Sequence, residues 1–180
     1  DELPKPDRKF ARDHRIMASL IFPIRTGISI VGILGFDVLD ESREWDPNEV
    51  AILRASVDII ANAWTRGIVA VLALAAGMFS GAVITPALLP VIPVREFALK
   101  GTVTGFGTAL LFIFVLNAEI VSFKAGIALL LFTMTISSVM AMNFTGTTPF
   151  TSPSGVEKEM KRYIPIQLIS LVLSTGIWIY

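Results

Sequence analysis

From residue 67 onward, apolar positions fill four runs that carry no charged side chain: 67–94, 101–118, 125–156 and 163–180. A helix that crosses a bilayer needs about 20 mostly apolar residues. The first run, of 28 residues, is long enough for one crossing with several residues to spare. The second and fourth, of 18 residues each, need a flanking residue or two. Only 125–142 of the third is apolar, because 143–156 is polar though uncharged. The pattern predicts an α-helical polytopic membrane domain over 67–180, with four spans, or five if 67–94 folds as a hairpin. The runs are internal, long and repeated, which separates them from a signal peptide.

Residues 1–66 follow different periods. Met17–Ile24 is a β-rich run, Arg25, Thr26 and Gly27 supply a turn, and Ile28–Val38 is a second run. Ile28, Ile30, Leu34, Phe36 and Val38 share one face by the period of two. Gly32 and Gly35 interrupt that run, as at a bulge or a close backbone approach. The two runs read as a hairpin, followed by a polar loop, 41–45. Asp46, Pro47, Asn48 and Glu49 then form a strong helix start: a carboxylate N-cap, a proline at the first helical position and a glutamate at the capping-box position. Val50, Leu53, Val57, Ile60 and Trp64 recur at 3, 4, 3, 4 spacing as one apolar stripe, with Arg54 and Asp58 paired off it. No Gly or Pro intervenes before Gly67, so this helix is expected to run into the first span. The N-terminal segment is therefore a small α/β unit, a hairpin plus a helix over 47–66.

Composition sharpens the division. The chain of 180 residues is 53% hydrophobic and 17% charged, with a mean hydropathy of +0.69. Those values exclude a disordered tail and fit an ordinary soluble globule poorly. Residues 1–66 hold nine Lys/Arg and eleven Asp/Glu, 20 of the 30 charges. Net charge is zero, so electrostatics gives no reason to invoke nucleic acid. With no cysteine there is no disulfide, thiolate metal site or cysteine nucleophile, and His14 alone makes no histidine-rich metal site. No Ser–His–Asp set, paired buried carboxylates or phosphate loop is visible, so no catalytic or metal-ligating residue is expected. The chain begins with Asp1 and ends inside an apolar run at Tyr180, and both ends read as cut.

Within the membrane half, Trp64 and Arg66 precede the first span as interface residues. Gly77 and Gly81 give the G-x-x-x-G spacing that lets helices approach closely. Pro86, Pro90 and Pro93 break that helix, and Arg95, Glu96 and Lys100 form a polar loop. Gly101, Gly105 and Gly107 give the second span, about 101–118, a small-residue face. Asn117, Glu119 and Lys124 mark a short loop, so the second and third spans form an antiparallel hairpin. The stretch 143–160 carries six hydroxyl residues and no charge before Glu157. Ser154 and Glu157 make a capping box for a short amphipathic helix, and Tyr163 and Pro165 open the last apolar run. The stretch is either a helix end, a loop and a helix start, or a docking surface whose backbone amides and hydroxyls receive a polar or anionic group.

The run SLIFPIRTGISIVGILGFDVLDESREWDPNEVAILRASVDIIANAW, over roughly 15–64, resembles the C-terminal half of a GAF domain. It has that family's strand ending in proline, its G-x-L-G-x-D strand, the aromatic residue before an acidic helix cap and the closing helix. The resemblance implies a sensory fold and dimerisation through the GAF-like helix. It identifies no ligand.

The run MNFTGTTPFTSPSGVEKEMKRYIPIQ, with the upstream LLPVIPVREFALKG, resembles the membrane domain of the mercury-methylating corrinoid proteins and their relatives near the corrinoid iron–sulfur proteins of acetyl-CoA synthesis. In that family a soluble cobalamin domain with a cysteine-bearing cap helix performs methyl transfer, and a ferredoxin-like partner supplies electrons. Here a GAF-like segment stands in place of the cobalamin domain and no cysteine is present. The resemblance therefore implies a non-catalytic membrane scaffold that itself binds no cofactor. Its motif residues are Asn143, Thr145, Gly146, Ser152, Gly155, Glu157 and Glu159, and their implied role is docking.

Three functions follow as expectations: a scaffold of this kind in a prokaryotic-type inner membrane, a membrane-bound GAF-type sensor whose spans relay or anchor a signal, and a transporter or channel. The third is weakest, because no ionisable residue lies in the middle of a span. Two expectations about orientation compete. The GAF-like segment is expected in the cytoplasm, yet Arg95, Lys100, Lys158, Lys161 and Arg162 draw the loops before the second and fourth spans to the same side. Both hold only if 67–94 turns back near Gly81 or Pro86.

Overall fold

The computed structural model describes residues 13–26, 29–39, 44–116, 122–144 and 153–180. They form two compact units, divided between Gly67 and Ile68.

The first unit is a two-stranded antiparallel sheet with a helix. Strands β1 (Ile16–Thr26) and β2 (Ser29–Leu39) pair from Ile16 opposite Leu39 to Thr26 opposite Ser29. One face turns inward through Leu20, Phe22, Leu34 and Phe36, with the Phe22 and Phe36 rings edge to face at 6.1 Å. The opposite face leaves Met17, Ile21, Val31 and Ile33 exposed. The register slips between Ile24 and Arg25, where Gly32 and Ile30 are the successive partners on β2. That irregularity turns Ile30 off the shared apolar face and leaves it exposed.

Helix α1 (Pro47–Phe79) starts as its sequence dictates. The Asp46 carboxylate accepts from Asn48 N at 2.7 Å, and the Glu49 carboxylate accepts from Asp46 N at 3.3 Å, a capping box satisfying orphan amides reciprocally. Its apolar stripe is buried only in part. Val57 is 1% exposed and Ala61 is buried, while Ile60 and Trp64 are more than half exposed. The covered face thus continues through Ala61, four residues beyond Val57, and not through Ile60. Arg54 lies over the Phe22 ring, 5.8 Å from its centroid.

The second unit, Ile68–Tyr180, is helical. The chain continues from α1 through a π-helical turn (Ser80–Ile84) into the short α2 (Thr85–Ala87), and then forms α3 (Phe97–Leu116), α4 (Phe123–Met142) and α5 (Pro153–Ile179). Four of these helical segments are long and apolar enough to cross a membrane. The residues from 68 to 87 measure about 30 Å at 1.5 Å per residue, the length of one crossing. Helical geometry persists through Gly81 and Pro86, so the hairpin alternative for 67–94 is not what the chain adopts. Proline explains the local change: Pro86 has no N–H for the usual bond, and Thr85 N reaches back five residues to Ser80 O.

Two boundaries differ from the expectations. Helix α3 begins at Phe97 and takes in Lys100, whose ammonium turns back to the Leu89 carbonyl at 3.1 Å. The amphipathic segment expected after Ser154 and the last apolar run form a single helix, α5, with Pro165 inside it.

Helix α4 is central. Gly77 and Gly81 press on it from the first span, where a β-carbon at Gly77 would meet Ile136 and one at Gly81 would meet Ser137 and Met140. From α3, a β-carbon at Gly101 would lie 2.6 Å from Ala141 Cβ and one at Gly105 would lie 2.7 Å from Ser137 Cβ. A side chain at any of these four positions would force backbone apart, which is the close approach that small residues permit in bilayers. Gly107, expected on the same small face, meets nothing within 4 Å. Helix α5 joins through Thr135 to Ser170 at 2.8 Å and Gln167 to Ser138 at 2.9 Å.

Candidate functional site

The contacts divide the bundle into two ends. At one end Val69, Ala73, Ala125 and Leu129 form an apolar cluster, with Leu116 and Trp178 packed against it. The start of the first span, the end of α3, the start of α4 and the end of α5 therefore meet there. At the other end lie the 88–96 connection, the start of α3, the end of α4 and the start of α5. This second end holds the polar and charged side chains that single the molecule out, and most of the described motif residues.

Glu159 is its centre. The residue is 8% exposed, and its Oε1 accepts from Ala98 N at 2.7 Å, at the first turn of α3. The amide there has no intrahelical acceptor, and the positive end of the helix dipole favours an anion. On the same turn, Ala98 O accepts from Ser138 Oγ at 2.9 Å, and Ser138 Oγ accepts in turn from Gln167 Nε2. One residue of α3, through its N–H and its carbonyl, is thereby tied to both α4 and α5.

A second tie flanks the first. Glu96, just ahead of α3, accepts from the Tyr163 hydroxyl and from Arg162 Nη1 at 3.4 Å. The Arg162–Glu96 pair is substantially exposed, so it adds little energy by itself. Glu157 and Lys161 pair along the outer surface of α5 at 2.6 Å, also exposed.

The other motif residues stand apart from this centre. Asn143 is exposed at the C-terminal end of α4, its N–H donating to Met140 O at 3.2 Å. Gly155 is exposed on the first turns of α5. Thr145, Gly146 and Ser152 lie outside the described residues. Of the seven, then, the structure brings Glu159 into a buried interaction and leaves Asn143, Gly155 and Glu157 on the surface.

No family model, no curated protein and no solved structure matches this chain. What the site can do has to be judged from its own chemistry.

Behind the charged end, about 10 Å along the helices at 1.5 Å per residue, lies a cluster of hydroxyls that sequence reasoning missed. Thr85 and Thr104 are 2.6 Å apart, Ser137 donates to Ser80 at 3.1 Å, Thr108 donates to Ser80 at 3.1 Å, and Thr104 and Ser137 are 3.3 Å apart. Ser80, Thr85, Thr104 and Ser137 are all buried. They come from the π-helical turn, α2, α3 and α4, so no local spacing could have grouped them. The only signal was compositional, in the small and hydroxylated residues recurring within apolar runs. Hydroxyls at these positions hydrogen-bond across helices where lipid offers no partner.

Among the described residues no three His, Cys, Asp or Glu side chains gather as metal ligands. The spans carry their ionisable residues only near the ends: Lys100 and Lys124 in first turns, and Glu157 to Arg162 in the first third of α5. Between α1, α4 and α5, near the apolar end, is a cavity of about 160 Å³ lined by Ala70, Ala128, Leu129, Phe132, Thr175 and Trp178, with no charged group.

Proposed function

We propose that the chain is a non-catalytic membrane scaffold, related to the membrane domain of corrinoid methyl-transfer proteins of the mercury-methylating type and joined to a GAF-like sensory segment. The supporting observation is how the bundle uses its polar groups. Hydroxyls, amides and the Glu159 carboxylate bond to one another across helices, and no ionisable side chain among the described residues faces a central path. Polar groups arranged in this way fix helix positions, whereas carriers of ions or protons place titratable groups in the spans. The motif-bearing end is the surface that would dock a partner, and the resemblance makes that partner ferredoxin-like. The membrane is a prokaryotic-type inner membrane by the same resemblance.

The test is spectroscopic and functional on one preparation. The purified chain, reconstituted in liposomes, is expected to take up no stoichiometric cobalamin, read from the corrinoid absorption bands, and to pass no proton or potassium flux above protein-free liposomes. Stoichiometric corrinoid binding or sustained flux would each overturn the reading.

A membrane-bound GAF-type sensor is the second reading. It is favoured by α1, which continues without a break past Gly67. A helix interrupted there would not carry a conformational signal.

A further inference from the structure

The sequence left the sidedness of the molecule with two incompatible demands, reconciled only by a hairpin in 67–94. The single crossing by residues 68–87 removes that reconciliation. The connections 88–96 and 143–152 then belong to one side of the bilayer. The connection 117–122 and the chain entering the first span belong to the other.

Basic residues near the span ends are divided unequally between those sides. Arg95, Lys100, Lys158, Lys161 and Arg162 belong to the first, as the contacts from Glu159 to Ala98, Arg162 to Glu96 and Lys100 to Leu89 O require. Arg54 and Arg66, before the first span, and Lys124, in the first turn of α4, belong to the second. The division is five to three. Lys161 and Arg162 have side chains 77% and 64% exposed, each in a surface pair with a carboxylate, Glu157 and Glu96. The carboxylates nearby do not cancel this bias, since acidic residues contribute little to the rule that places Lys and Arg in the cytoplasm. The cytoplasmic leaflet is also the anionic one in most membranes, and it attracts juxtamembrane Lys and Arg.

From this asymmetry we infer that the end of the bundle carrying Glu159 and these five basic residues faces the cytoplasm, against anionic lipid headgroups, and that the chain enters its first span from the opposite side. The inference rests on the bundle's spanning a membrane, and it reverses the cytoplasmic placement expected for residues 1–66. A partner docking on the motif-bearing end would then be a cytoplasmic protein.

The absence of cysteine makes a clean test possible in the full chain. Ala55→Cys and Val91→Cys place single thiols at exposed positions, the first before the first span and the second in the 88–96 connection, and neither alters a charge. Intact cells are treated with a membrane-impermeant maleimide, then permeabilised and treated again. The expected result is labelling of Ala55→Cys on intact cells and of Val91→Cys only after permeabilisation. The reverse pattern, or labelling of both from the same side, overturns the inference while leaving the membrane reading intact. Release of the protein from membranes by alkaline carbonate would instead defeat the membrane reading itself. Asn48→Cys, also exposed, repeats the first arm should Ala55→Cys fail to accumulate.

Discussion

The two units solve packing in opposite ways. In residues 13–67 the interior is made by large side chains: Phe22 and Val57 are nearly inaccessible, and Phe22 is braced by the Phe36 edge and the Arg54 guanidinium. In residues 68–180 the fully buried positions are small: Ala73, Ala98, Ala109, Ala141, Ser80, Ser137 and Thr133. Most of its large apolar side chains, such as Phe114, Val115 and Val172, point outward, with Phe97 and Leu129 as buried exceptions. Water drives the first arrangement, because burying a phenyl ring removes apolar surface from it. In a bilayer, lipid tails are as apolar as leucine, so little is gained by hiding a large side chain from them. Helix contact there depends on close van der Waals approach and on interhelical hydrogen bonds. The same chain therefore has an inside of phenylalanine in one unit and an inside of glycine, alanine and serine in the other.

If that contrast is right, the most damaging truncation lies in the first unit. Phe22→Ala is expected to destabilise it by about 3–5 kcal/mol, as removal of a buried ring does. The measurement is limited proteolysis of the full chain, with new cleavage confined to residues before 67 and the fragment 68–180 persisting. Loss of the bundle fragment at the same protease concentration would show that the two units do not have separate interiors.

The converse lesion adds volume. Gly81→Leu places a side chain against the Ser137 carbonyl and Met140, both on α4, where backbone cannot yield as a flexible side chain would. It is expected to cost about 3 kcal/mol, the upper end for overpacking, read as a lower thermal midpoint in detergent. Gly107→Leu is the control within the same unit, since that glycine meets nothing. It should leave the midpoint unchanged. Equal effects at the two positions would mean that glycine acts here through propensity and not through contact.

These positions also show what was legible in the sequence. The capping box at Asp46 and the hairpin rest on local spacing, and the structure bears them out; the runs read as spans form four helices long and apolar enough to cross a membrane. The G-x-x-x-G pair at Gly77 and Gly81 was legible for the same reason. Gly107 was misplaced on the contact face because glycine content was read without a helical phase: Gly101 and Gly105 are four apart, whereas Gly107 is turned well away from both. The Glu159 contact was not legible. It joins residues 61 apart, and the sequence marked Glu159 only as one member of a motif. The hydroxyl cluster was hidden likewise, because its members lie on four segments and each alone resembles the small residues common in any membrane helix.

Glu159 offers a third, smaller test that separates charge from hydrogen bonding. Glu159→Gln keeps an oxygen able to accept from Ala98 N, and is expected to cost under about 1 kcal/mol, the loss of a helix-dipole term. Glu159→Leu leaves the Ala98 amide without its acceptor and should cost about 1–3 kcal/mol. The thermal midpoint of the bundle, compared between the two variants, reports the difference. If the glutamine variant is as unstable as the leucine one, the buried charge and not the bond holds α5 against α3.

The smallest effect expected is a gain, and it concerns a buried hydroxyl that has no partner among the described residues. Thr133 is fully buried on α4, yet among the described residues its Oγ1 has no hydrogen-bond partner. Thr135 Oγ1, two residues on, lies within hydrogen-bond distance of both Leu131 O and Ser170 Oγ, so helix α4 does not prevent its threonines from bonding. An unpaired buried hydroxyl carries its desolvation cost without return. Thr133→Val preserves shape and removes that hydroxyl, so stability should hold or rise by up to about 1 kcal/mol. Thr104→Val, which deletes a hydroxyl within reach of Thr85 and Ser137, should lose about 0.5–1 kcal/mol in the same assay, the range of interhelical hydrogen bonds in membranes. Opposite signs for two threonine-to-valine changes in one bundle would show that hydroxyls stabilise it through specific partners. A loss at both positions would instead assign Thr133 a partner of its own, and the hydroxyl cluster would then extend along α4 toward the face that meets Gly77.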